Sequence, residues 1–211
     1  MSDKFTKNWD AKRKDPMSER VKDTLRPAAP LKPRIDAAIR GLQSQTNKLE
    51  QLQSRLVDRD KNIFSKVVDA YTKHDQAHAS IYANELAEIR KMSRMIIQSQ
   101  LALEQIILRL QTVQELGDVV VSLAPAMSVV RKVGKGIAGV MPEAEGELSE
   151  IGELLSGVLM EAGQTSGGML SFDTMNDDAQ KIMAEAATFA EQKMKDKFPE
   201  MPASTPSGSR I

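Results

Sequence analysis

From Ile35 onward one narrow stripe runs along the chain, through Ile35, Ile39, Leu42, Thr46, Leu49 and Leu56, in steps of three and four residues and a last step of seven, their sum. Steps of that kind place the side chains on one face of an α-helix and predict a packing seam. The polar cluster Asp58-Arg-Asp-Lys-Asn62 interrupts the stripe. It resumes at Ile63, Val67, Ala70, His74, Ala77 and Ile81, and continues through Leu86, Ile89, Ile96, Leu103, Ile106, Leu110 and Val113. Between Gly41 and Gly117 there is neither glycine nor proline, a 75-residue stretch that calls for long helix. The pattern predicts a helical hairpin over 34–116, turning at 58–62, because two half-apolar stripes can bury each other at ~1.5 to 3 kcal/mol per large aliphatic side chain. A single continuous helix is the alternative, since the cluster contains no helix breaker.

A turn at 58–62 leaves the arms unequal. At ~1.5 Å per residue the first extends ~40 Å and the second ~80 Å. The stripe from Leu86 to Val113 would then lack a partner on its own chain. Ile97, Leu101, Ile107 and Leu108 make that half apolar on more than one face, so later helices or neighbouring subunits must cover it. The stripe is accordingly a candidate assembly surface.

The flanking segments read differently. Residues 1–33 hold four of the nine prolines and many charges, and predict an extended arm. Residues 118–141 are apolar, with Gly134, Gly136 and Gly139 near the end, and predict a bendable element. Pro142 opens a short helix ending near Glu161, with Glu143, Glu145, Glu147, Glu150 and Glu153 along it and the first of them where the helix dipole favours carboxylates. Residues 161–173 read as a flexible Gly/Ser-rich linker. An amphipathic helix follows over 174–198, with Ala179, Ile182, Met183, Ala186, Phe189 and Ala190 on one side, and then a Pro/Ser-rich tail over 198–211.

Composition narrows the function. Aromatics are 4% of residues, cysteine is absent and there are two histidines, which excludes thiolate chemistry and leaves little for acid–base catalysis. No cofactor, metal site or enzymatic activity is expected. Gly134-Lys-Gly-Ile-Ala-Gly139 matches the dinucleotide-binding fingerprint in letters but lacks the flanking strands that make it work. His74 and His78 share a helical face without an obvious third ligand. The most apolar run, Val119 to Val130, is too short to span a bilayer and contains Pro125.

The zero net charge conceals a polarity along the chain. Residues 1–135 hold 24 Lys/Arg against 16 Asp/Glu, a balance of +8, and residues 136–211 hold 5 against 13, a balance of −8. A basic body suits anionic partners, and an acidic C-terminal segment can compete with them for its cations. Phe5 and Trp9 lie one helical turn apart among Lys4, Lys7, Lys12, Arg13 and Lys14, a combination suited to an anionic membrane surface. Nothing in the chain reads bases, and nucleic acid is not an expected partner.

Leu123-Ala-Pro-Ala-Met-Ser-Val-Val-Arg131 and Val140-Met-Pro-Glu-Ala-Glu-Gly-Glu-Leu-Ser-Glu-Ile-Gly-Glu-Leu-Leu-Ser-Gly157 carry a further signal. With the helical pattern over residues 31–160, they resemble the ESCRT-III (Snf7-like) family in its archaeal cell-division group. The resemblance implies an all-α fold, an elongated helical hairpin followed by shorter regulatory helices. It also implies cytoplasmic polymers, with itself or with paralogues, that constrict a membrane neck at the division site and are disassembled by the MIT domain of a AAA ATPase, CdvC. On that basis Phe198, Pro199, Met201 and Pro202 resemble a proline-containing MIT-interacting motif. The winged-helix-like segment with which relatives engage CdvA has no expected counterpart after Lys197, so CdvA is not carried over as a partner. The competing expectation is a non-polymerising coiled-coil scaffold in the cytosol.

Overall fold

The stripe on the first helix is a full heptad repeat. Ile35, Leu42, Leu49, Leu56, Ile63 and Ala70 recur every seventh residue, as do Ile39, Thr46, Gln53, Asp60 and Val67, and all are buried. In the computed structural model they belong to one helix, α1, Leu31–Thr72. The structure describes residues 31–116, 119–166 and 172–198. Its other helices are α2, Gln76–Leu116; α3, Val119–Ile137; α4, Pro142–Ser166; and α5, Phe172–Lys197. Among the described residues there is no strand, and the fold is all-α as expected. The chain divides into two units, Met1–Leu31 and Lys32–Ile211, and apart from the first residue of α1 the five helices lie in the second.

The turn is not at 58–62. Those residues are helical, and the chain reverses at residues 73–75. His74, at φ 55°, takes the left-handed conformation that ends a helix. Its N–H bonds the Tyr71 carbonyl at 3.0 Å, and the Asp75 N–H bonds the Ala70 carbonyl at 2.9 Å. The Asp75 side chain then caps α2 by accepting from the His78 N–H at 3.1 Å. With the turn here the arms are 42 and 41 residues long, and the predicted mismatch disappears. Arg59 with Glu85 at 2.7 Å, and Lys66 over the Tyr82 ring at 5.8 Å, hold the antiparallel pair together.

Other boundaries shift less. α1 takes in the last three residues of the expected arm, and its Pro33 sits in the first turn, where a missing N–H costs no helical bond. α3 is helical through Pro125, Gly134 and Gly136 rather than bendable. The nucleotide-like glycines thus fall in a helix and the turn after it. α4 extends to Ser166, so the first part of the predicted linker is helical. α3 and α5 both pack on α2, and α3 also packs on α4 and α5. On α5, Ala179, Ile182, Ala186 and Ala190 are buried as expected, whereas Phe189 is 55% exposed.

Candidate assembly and regulatory interface

α4 holds six glutamates and no lysine or arginine, and it lies against the cationic flank of α1. Lys48 Nζ donates to both Glu147 carboxylate oxygens, at 2.6 and 2.7 Å, and Gln45 Nε2 donates to the same group. Near the other end of α4, Arg34 pairs with Glu161 at 2.8 Å. Hydrogen bonding to Lys48 holds the Glu147 carboxyl below its ordinary range, helped by Gln45 and by the charge of Lys48, and opposed by partial desolvation. Close approach of the helices depends on a small residue. A Cβ on Gly41 would lie 2.9 Å from Ile151 Cδ1.

Of the five carboxylates singled out in the sequence, Glu147 alone makes such a contact with α1. Glu143, Glu145, Glu150 and Glu153 are exposed and form no ion pair among the described residues. Glu161 was not among the five. Its signal lies in the spacing, because 147, 154 and 161 fall on one helical face.

The second locus centres on Arg90. Its Nε donates to the Asp60 carboxylate at 2.8 Å, with Asp60 1% exposed. Its guanidinium also lies 5.9 Å from the Phe64 ring centre and 5.8 Å from that of Phe198. Phe198 is buried with Ile97, Ala190 and Met194, against Val57 and Leu101. The first residue of the expected MIT-interacting motif is therefore part of the core. Pro199, Met201 and Pro202 lie outside the described residues, as do Phe5, Trp9, Lys4, Lys7, Lys12, Arg13 and Lys14 of the arm.

The expected assembly stripe is not open. Leu86, Ile89, Ile96, Leu103, Ile106 and Leu110 are each 0–1% exposed, covered by α1 and by the later helices; the Val113 side chain lies outside the described residues. Of the extra apolar positions, Leu108 remains 63% exposed. His74 and His78 are separated by the helix start, so they do not share the face expected of them. His78 Nδ1 lies 2.7 Å from Asp75, and among the described residues no group of three His, Cys, Asp or Glu could hold a metal. No helix of the described residues is long and apolar enough to cross a membrane.

Over 203 residues the chain is 41% identical to cell division protein B1 of Sulfolobus acidocaldarius, covering 96% of this chain and 92% of that protein. The chain belongs to the cell division protein B family, the CdvB group of ESCRT-III. Cell division protein B of the same organism is 35% identical over 161 residues, 76% of this chain and 62% of that protein. No protein-family model and no solved structure matches. Both relatives of this CdvB-group chain are named for cell division rather than for a reaction.

Proposed function

We propose that the chain acts in archaeal cell division as an ESCRT-III-like polymer that assembles on an anionic membrane and drives its constriction and scission, and that the arrangement described above is its closed state. The carrying observation is the acidic helix α4 seated on α1 through Glu147 with Lys48 and Glu161 with Arg34. Membrane phosphates compete for the same cations, assisted by the basic arm. Once α4 lifts, α3 and α5 follow, and the stripe from Leu86 to Leu110 becomes available to neighbouring copies.

The same opening supplies a reading of disassembly. The MIT domain of CdvC would need Phe198 free, and Phe198 is 7% exposed. The ATPase motif is thus presented by open, assembled copies and withheld by closed ones. This ties removal from the polymer to membership of it.

Co-sedimentation with anionic liposomes, imaged by electron microscopy, tests the reading. Glu147→Lys combined with Glu161→Arg replaces both attractions by repulsions without deleting a helix. The variant is expected to bind liposomes and form filaments at lower protein concentration than the unmodified chain, and removal of residues 1–14 is expected to weaken binding in both. A dimer whose state is independent of concentration and which ignores liposomes, with or without the substitutions, would favour the scaffold reading.

A further inference from the structure

Helix α3 carries Arg131, Lys132 and Lys135 and no acidic residue. With Ala124, Met127 and Leu159 these cations line a groove of about 610 Å³, and among the described residues no carboxylate contributes to its wall. Lys132 Nζ donates to Asn176 Oδ1 at 3.4 Å, whereas Arg131 and Lys135 are exposed and have no ion-pair partner among the described residues. On the other flank of the ridge Glu145 and Glu153 share a second groove with Arg131 and Lys135. Among the described residues the field is therefore partly compensated on one side and uncompensated on the other.

Helix α4 offers the complement. Glu150, Glu153 and Met160 are exposed, and their spacing puts them on the side of α4 that faces away from its buried residues Leu148 and Leu155, with the exposed Glu143 nearer the flank that meets α1. Met160, at 65% exposed, is the apolar end of an otherwise acidic stripe. No described residue pairs with these carboxylates.

We infer that the groove on α3 of one copy receives the α4 stripe of a second copy, with the carboxylates against Arg131, Lys132 and Lys135 and Met160 on the apolar floor. Charge complementarity selects this occupant, and the apolar floor of Ala124, Met127 and Leu159 gives Met160 a place that a small inorganic anion would leave empty. Groove and stripe are different surfaces of one chain, so the contact is heterologous and can propagate from copy to copy. The inference rests on the self-assembly reading for its purpose, but it concerns closed copies and is read in solution without membrane.

Sedimentation velocity at low salt measures it. Arg131→Glu with Lys135→Glu, and separately Glu150→Lys with Glu153→Lys, are each expected to weaken self-association by about tenfold or more. An equimolar mixture of the two variants should restore it, because each groove then meets a stripe of opposite charge. Circular dichroism confirms that both variants keep their helices. An unmodified chain that stays monomeric, variants that associate normally, or a mixture that restores nothing each overturns the contact. Loss of binding to phosphatidylserine liposomes by the α3 variant, with association in solution unchanged, would reassign the groove to lipid headgroups. None of these outcomes depends on whether filaments form on membranes, which is the test of the polymer itself.

Discussion

Asp60 shows how a residue that looks like punctuation can be structure. In sequence it sits within Asp58-Arg-Asp-Lys-Asn62, which reads as a turn, yet it occupies a heptad position of the α1 seam and is 1% exposed. The seam continues because Arg90, whose side chain is 18% exposed, reaches across to pair with it. No single-helix pattern reveals that partner, 30 residues away. Asp60→Ala leaves Arg90 without its counter-charge and is expected to cost about 3 kcal/mol or more in urea denaturation, as removal of one partner from a buried pair does. His74 is the complementary case, a true turn without glycine or proline to mark it. A side chain in the left-handed region costs about 1 to 2 kcal/mol, so His74→Gly is expected to raise stability by up to about 1 kcal/mol, and His74→Val to lower it.

Between elements, the readable part of the fold was the part carried by periodicity. The α1 stripe, the apolar second face of α2, and the buried side of α5 were all visible as three- and four-residue steps. Where packing rather than pattern decides, the sequence was silent. Nothing in Ile81 or Phe189 says that they face water, at 61% and 55% exposure, and nothing in Phe198 says that it closes the end of α5 against Arg90. Gly41 is a packing choice of the same kind, since it lets Ile151 reach the backbone of α1. Gly41→Val is expected to push α4 away while leaving the hairpin intact. Hydrogen exchange should speed up in α4, with little change in α1 or in α2 near the turn.

For the molecule as a whole, the charge polarity counted along the chain becomes a small set of contacts between α4 and α1. Since Lys48 depresses the Glu147 pKa below its ordinary 4.5, the folded state holds that carboxylate ionised more readily than the unfolded chain does. The stabilisation is complete above that ordinary value and is lost as pH falls through the depressed folded value. The stability difference between the unmodified chain and Glu147→Gln should therefore be present at pH 7 and vanish in acid, which denaturation at both pH values reads directly. Added salt should shrink the same difference at neutral pH, because the side chains of Lys48 and Glu147 are 42% and 45% exposed. The sequence could supply the sign of the two segments; which carboxylates touch which cations was fixed by the register of α4 on α1.

The most direct measurement uses the absence of cysteine from the chain. Spin labels placed through Ser44→Cys on α1 and Ser149→Cys on α4, both exposed positions, report the separation of the acidic helix from the hairpin by electron–electron distance spectroscopy. A short, narrow distance is predicted for the chain alone, replaced by a long or broad one when anionic liposomes are added and filaments form. Filaments on liposomes with the short distance unchanged would contradict the account.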